Sequence, residues 1–227
     1  MPRTPLQRLE QRLGYQFQQP ELLQQAMTHR SSGHQNNERL EFLGDSILGF
    51  VVSHLLYAHY PEASEGDLSR LRARLVRGES LAEIAKELEL GDALVLGQGE
   101  LKSGGFRRAS ILADAMEAII GAIYLDSGLN SCEQWLKKLF EPLIVLLPPL
   151  AQLKDPKTRL QEWLQARKHP LPEYQLVKVD GEGHKQYFTI ACVVSALGLT
   201  TQGAGSSRRK AEQEAATRAI EQMESKS

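Results

Sequence analysis

The chain has 227 residues, enough for one large domain or two modest ones, with 41% hydrophobic and 24% charged residues, ordinary proportions for a globular protein. No uninterrupted run of about eighteen apolar residues occurs, which argues against a transmembrane helix. The opening MPRTPLQRLEQRLGY is polar where a secretion signal would be apolar, so a cytoplasmic, membrane-free location is the expectation.

The net charge of −1 conceals an asymmetry. Residues 154–227 carry 12 Lys/Arg against 9 Asp/Glu, or +3, leaving 15 against 19, or −4, for residues 1–153. A basic back half suits a polyanion, and an acidic front half has carboxylates to spare for metal. The two cysteines, Cys132 and Cys192, are expected to be reduced, packed thiols.

In chain order, Leu40, Leu43, Ile47, Val51 and Leu55 recur at threes and fours and predict a long buried helix, with Asn36 or Asn37 as its cap. Gly66-Asp67 opens a second helix whose Leu68, Leu71 and Leu75 share a face. Ser80 and Glu83 make a capping-box pattern ahead of LAEIAKELEL, with Gly91 as its stop. ILADAMEAIIGAIYLD is another apolar helix, stopped by Gly128, with Ser110 as a cap and Ser131 with Gln134 restarting the chain. The front half is therefore expected to be all-α.

Pro148, Pro149 and Asp155-Pro156 bracket a change of pattern, so the domain boundary is placed at about residues 148–154. Beyond it Asp155 caps a helix running to about Arg167. Tyr174–Val179 and Tyr187–Ser195 are rich in Val, Tyr, Phe and Ile and flank the turn Asp180-Gly181-Glu182-Gly183. A third strand over about Leu199–Ala204 ends at Gly205, and Ser206 or Ser207 caps a closing helix.

The densest chemistry lies in NERLEFLGDSIL. Glu38, Glu41 and Asp45 fall within roughly a 60° arc of one helix. Asp114 and Glu117 form a second pair on an otherwise apolar helix. Carboxylates in apolar helices are costly unless paired or bound to metal, and two such faces brought together would hold a hard divalent cation. Gly44 and the flanking Ala113, Ala115 and Ala118 let helices approach closely. A structural ion-pair cluster involving Arg39 is the competing reading. The histidines show no metal-ligand spacing with cysteine, and no Ser-His-Asp or Cys-His set stands out.

NERLEFLGDSIL resembles the signature of the bacterial ribonuclease III family, and EGDLSRLRARLVR, GELKSGGFRRASILADAMEAIIGAIYLD and GSSRRKAE match in order and spacing. The resemblance covers nearly the whole chain. It implies an all-α catalytic domain over 1–150 and an α-β-β-β-α double-stranded-RNA-binding domain over 154–224. It implies an endoribonuclease that hydrolyses duplex RNA, leaving 5′-phosphate and 3′-hydroxyl ends and processing ribosomal RNA precursors and other structured transcripts. By position, Glu41, Asp45, Asp114 and Glu117 would bind Mg²⁺, or Mn²⁺ in its place, with no organic cofactor. Glu38 and Glu65 match further acidic positions near the site, and for Glu65 a helix-entry or inter-subunit role is equally open. Thr158, Gln161 and Glu162 would face one RNA minor groove and His184 another, while Ser207, Arg208, Arg209 and Lys210 would meet phosphates. The resemblance also implies a homodimer, for which Phe42 is the candidate anchor. A duplex-RNA-binding protein without catalysis and a phosphohydrolase of free nucleotides are the alternatives.

Overall fold

The computed structural model describes residues 3–33, 35–147, 155–181 and 186–225. The chain divides into two compact units, Met1–Leu147 and Pro148–Ser227, each treated by itself.

The first unit is built from helices: α1 (Pro5–Leu13), α2 (Pro20–Ala26), α3 (Glu38–His59), α4 (Glu65–Val76), α5 (Gly78–Glu87), a short α6 (Gln98–Lys102) and α7 (Ala109–Val145). Among the described residues its only β pairing is the isolated bridge between Thr28 and Val95. The long α7 breaks at Gly128, whose φ of 79° and ψ of 176° lie outside the range of residues with a Cβ. Its first part is the buried axis of the unit: Ile111, Leu112, Ala115, Met116, Ile119, Ile120 and Ile123 are all in the core.

α3 packs along α7, and the two backbones touch. A Cβ on Gly44 would fall 1.8 Å from the Glu117 carbonyl oxygen, and one on Gly121 would fall 2.3 Å from that of Leu40. α3 buries Leu40, Gly44, Ile47, Leu48, Val51, Val52 and Leu56, whereas Leu43 and Leu55 are only half-buried. By length and composition it is apolar enough to cross a membrane, with a mean hydropathy of 1.3 over its best window. This corrects the length argument above: polar residues interrupt the run without lowering its average enough. Here one face of α3 is instead core against α7.

Local signals succeed where one residue decides the end of an element and fail where tertiary contacts do. Asn36, not Asn37, supplies the acceptor at the start of α3, its Oδ1 taking the Glu38 N–H at 3.1 Å. Asn37 is buried and donates to the Ala26 carbonyl at 3.3 Å. α4 starts at Glu65, because the Ser64 hydroxyl accepts the Asp67 N–H at 3.2 Å. Ser80 is not a cap: α5 already begins at Gly78, and the Ser80 hydroxyl donates to the Arg74 carbonyl at 2.9 Å. Gly91 does not end that helix, which stops at Glu87; it sits in a following turn where a Cβ would meet the Phe106 carbonyl at 2.5 Å. Ser110 lies inside α7, whose cap position is Arg108.

Asp126 is a buried carboxylate with a structural task. It accepts the Tyr15 hydroxyl at 2.6 Å and the N–H groups of Gln18 at 3.0 Å and Gln19 at 2.8 Å, tying the α1–α2 segment to α7. Burial pushes its proton affinity up, but these three donors win and hold it below the usual carboxylate range. Both cysteines are free and buried, and burial alone pushes the Cys132 thiol up to about 12, the behaviour of a packed, unreactive thiol.

The second unit runs α8 (Pro156–Ala166), β1 (Glu173–Asp180), β2 (Tyr187–Val194), β3 (Leu199–Gly205) and α9 (Arg208–Glu224). The antiparallel sheet has the order β1-β2-β3, with Leu176 opposite Ile190, Ile190 opposite Gly203, and an irregularity between Leu176 and Lys178. Leu160, Leu164, Cys192, Val194, Ala215, Ala219 and Ile220 form its core. Residues 148–154, His184 and the rest of the 182–185 turn lie outside the described residues.

Candidate metal centre and RNA-binding unit

Glu41, Asp114 and Glu117 converge where α3 and α7 touch. Each offers one carboxylate oxygen, and these oxygens lie within 4.8 Å of one another. The approach is forced by Gly44 and Gly121, since a side chain at either would part the helices. Asp45 is exposed and falls outside that set, yet it is the strongest neighbouring charge on Glu117. Burial first, then repulsion by Asp45, Glu41 and Asp114, pushes Glu117 up from its ordinary 4.5 to about 7. Burial also raises Glu41, with the charges of Asp114 and Glu38 adding to it and Arg30 opposing. Burial raises Asp114 as well, with His29 and Arg30 partly offsetting it.

This is a set of oxygen donors that repel one another and hold protons tightly for want of a counter-charge. A hard divalent cation relieves each of those penalties at once, so the donor set fits such an ion. Glu41 and Asp114 open onto a cavity of about 410 Å³ that is also lined by His29, Arg30, Ser31 and Arg108.

The other expected acidic residues are placed differently. Glu38 stands at the mouth of the cavity, accepting Asn36 Nδ2 at 3.1 Å and lying 3.7 Å from Arg30, which takes the part expected of Arg39. Glu65 is not brought to the cluster within this unit. It accepts the Ser69 hydroxyl at 2.7 Å and lines a separate groove with Phe50, His54, Tyr57 and Arg72. His29 and the Glu100–Arg108 pair, whose nearest atoms are 2.8 Å apart, line the site without any sequence signal having singled them out.

In the second unit, Ser207 caps α9 by accepting the Lys210 N–H at 3.3 Å. Arg208 is drawn back to Glu212 at 3.1 Å, Lys210 Nζ to Ser206 at 3.4 Å, and the exposed Arg209 lies 3.7 Å from Asp155. Asp155 in turn caps α8 through the Lys157 N–H at 2.9 Å and accepts Gln213 at 2.6 Å, so one carboxylate fixes both helix starts. Gly203 and Gly205 lie on β3 beside the start of α9. Their bare faces are taken by α9: Cβ atoms there would fall 2.2 Å from Ala215 N and 2.8 Å from Lys210 Cβ. Thr158 and Glu162 on α8 are exposed and Gln161 is half-buried.

Residues 19–143 match the family model described as ribonuclease-III-like, and residues 156–223 match the double-stranded RNA binding motif. The chain is 57% identical over 224 residues to Ribonuclease 3 of Idiomarina loihiensis, covering 99% of this chain and 98% of that protein. It is 58% identical over 217 residues to Ribonuclease 3 of Nitrosococcus oceani, covering 95% and 93%. A solved nuclease domain of ribonuclease III from Campylobacter jejuni, described for flexibility in a region involved in dimer formation, superposes with a TM-score of 0.59 at 46% identity. That match covers 60% of this chain and 96% of the other. An all-α nuclease unit joined to a duplex-RNA-binding unit defines a double-strand-specific endoribonuclease. The chain belongs to the ribonuclease III family, whose members are metal-dependent and whose acidic cluster is present here.

Proposed function

We propose that the protein hydrolyses double-stranded RNA at a Mg²⁺ centre held by Glu41, Asp45, Asp114 and Glu117, leaving 5′-phosphate and 3′-hydroxyl ends, with Mn²⁺ as a substitute. The observation that carries this reading is the convergence of Glu41, Asp114 and Glu117 within 4.8 Å on two helices that cannot move apart. A bound divalent cation supplies Lewis-acid stabilisation of phosphate oxygens and makes a water acidic enough to attack. The chain's part is to hold the carboxylates rigidly on two helices in contact, with Glu117 raised by burial and by its acidic neighbours so that a cation competes with a proton there. Glu38, already engaged by Asn36 and Arg30, and Glu65, on α4, have supporting roles.

Division of labour follows the two units, with catalysis over 1–150 and RNA binding over 154–224. Ser207, Arg208, Arg209 and Lys210 grip phosphates from the start of α9, and Thr158, Gln161, Glu162 and His184 meet the minor grooves. Replacing Arg208, Arg209 and Lys210 together by Ala is expected to weaken duplex binding and to flatten its logarithmic salt dependence by about 1 per lost phosphate contact. Equal salt slopes for the variant and the parent protein would remove this cluster from the RNA grip. End-group mapping of the products made in Mg²⁺ and in chelator tests the chemistry, and cleavage that survives chelation sinks it.

The working form is a homodimer. Phe42 is 78% exposed, Phe50 57% and Tyr57 73% on the face of α3 turned away from its own core; such a face suits burial against a second copy. The dimer formation described for the Campylobacter jejuni domain supports this assignment. Phe42→Ala is expected to shift the sedimentation equilibrium toward monomer, and an unchanged dimer constant would remove Phe42 as the anchor. A cytoplasmic location and the processing of ribosomal, messenger and transfer RNA precursors belong to the same reading.

A further inference from the structure

The segment GELKSGGFRR runs from α6 to the start of α7 and folds onto itself. It bends at Gly104, whose φ of 76° is a left-handed value that glycine adopts without strain. Gly105 packs on Glu100 so closely that a Cβ would fall 2.9 Å from both its carbonyl oxygen and its Oε2. The Arg108 guanidinium closes the fold. Its Nη1 donates to Glu100 Oε1 at 3.1 Å and lies 2.8 Å from Oε2, while Nη2 donates to the Ser103 hydroxyl at 3.2 Å. Ser103 in turn donates to the Glu100 carbonyl at 3.1 Å. A long, flexible side chain is thereby held in one pose.

That pose is on the wall of the cavity that holds Glu41 and Asp114, with the Arg108 side chain 46% exposed. It does not serve those carboxylates, because among the described residues Arg108 bonds only to Glu100, Ser103 and the backbone. A guanidinium has five N–H donors in a planar fork. Glu100 and Ser103 engage Nη1 and one hydrogen of Nη2, which leaves Nε–H and a second Nη2–H without a partner among the described residues. Such a fork matches phosphate oxygens, and fixing it beforehand lowers the entropy lost when a ligand binds. Glu38, Glu41, Glu100 and Asp114 line the same cavity and repel a polyanion, so a strand that enters needs a cation to hold it. Arg30 is also on the wall but is 70% exposed and only 3.7 Å from Glu38, a looser arrangement.

The geometry points to Arg108 as a substrate-binding residue of the cleavage site: its guanidinium grips a backbone phosphate of the RNA strand in this cavity, with Glu100 and Ser103 as its positioning residues. This rests on the metal-centre reading above. The test changes protein and substrate together. Duplex RNAs carrying one methylphosphonate, which removes a phosphate's charge, at successive positions around the cleavage site are cut in Mg²⁺ by excess full-length protein. Arg108→Ala is expected to cut the unmodified duplex about 10–100-fold more slowly, the loss that goes with a hydrogen bond to a charged group. One methylphosphonate should slow the parent protein by a similar factor and cost Arg108→Ala little more, since that contact is already gone. Arg108→Lys and Glu100→Gln should fall between, with the same phosphate affected. Melting temperature and Mn²⁺ affinity, followed by electron paramagnetic resonance of the free ion, should stay near parental in Arg108→Ala. Methylphosphonates that cost both proteins equally at every position would overturn the inference, leaving the pair as a staple of the loop. So would an Arg108→Ala variant that cuts at the parental rate or loses Mn²⁺ binding. Should Arg108→Ala fail to fold, Arg108→Lys carries the same comparison. If parental cleavage survives chelation, the metal-centre reading falls, whereas the coupling between Arg108 and one phosphate is read separately.

Discussion

Glu117→Gln is expected to abolish cleavage of duplex RNA in Mg²⁺ while leaving duplex binding in place. The loss should reach at least about a thousandfold, the equivalent of about 4 kcal/mol in the barrier, because a ligand of the metal centre is removed and nothing nearby replaces it. The same variant tests the electrostatics without any turnover. Glu117 is raised from 4.5 to about 7 by burial and by Asp45, Glu41 and Asp114. Between those values the folded protein keeps a proton that the unfolded chain has lost. Its contribution to stability is therefore favourable at low pH and is lost as pH rises through about 7. Gln mimics the protonated acid at every pH. Metal-free Glu117→Gln should thus melt above the metal-free parent protein at pH 8, and close to it at pH 5. Addition of Mg²⁺ should reverse the order by raising only the parent protein. The cation must also displace the proton, so apparent Mg²⁺ affinity should fall up to about tenfold per unit below pH 7 and level off above it. A Gln variant that cuts at a near-normal rate, or that melts below the metal-free parent protein at pH 8, contradicts the site as drawn.

Much of this site could be read from spacing. The arc shared by Glu38, Glu41 and Asp45 follows from helical periodicity alone, and Gly44 beside them signalled a close helix contact. Asp114 and Glu117 stood out as charges in an apolar helix. The order of the second unit followed from strand propensity and from Asp155-Pro156. What periodicity does not carry is distance between elements. Glu65 belongs to the same acidic list by resemblance, yet α4 leads it to another groove. Ser80 satisfied a local capping pattern but lost to the tight α4–α5 junction, where its hydroxyl closes onto Arg74. Asp126 carried no local signal and is the acceptor for Tyr15, Gln18 and Gln19, partners that only the tertiary fold supplies. His29 carried no signal at all, since its ring is placed by Ser31, which Gly97 holds in turn. Gly203 and Gly205 are needed because α9 crosses them, a contact between elements that no local pattern announces.

Gly44→Ala should be among the most damaging single changes to the first unit, against what helix propensity alone would forecast. Ala is better than Gly inside a helix by about 1 kcal/mol. Against this, the new Cβ would lie 1.8 Å from the Glu117 carbonyl oxygen, a backbone atom of the facing helix that no rotamer change can move aside. α3 and α7 would have to separate, and overpacking of this kind costs about 3 kcal/mol or more. The net loss of about 2 kcal/mol predicts a fall in melting temperature of roughly 4–8 °C. Gly121→Ala should act alike, its Cβ meeting the Leu40 carbonyl at 2.3 Å. Gly99→Ala in α6, with no atom within 4 Å of the new Cβ, isolates the propensity effect and should be neutral or slightly stabilising. Cleavage should fail in Gly44→Ala even where the protein is still folded, because the clash falls on Glu117 itself and drives it from Glu41. A variant that melts at or above the parent temperature and cuts normally would mean the two helices are further apart than described. The metal centre would then lack the rigid spacing on which its chemistry depends.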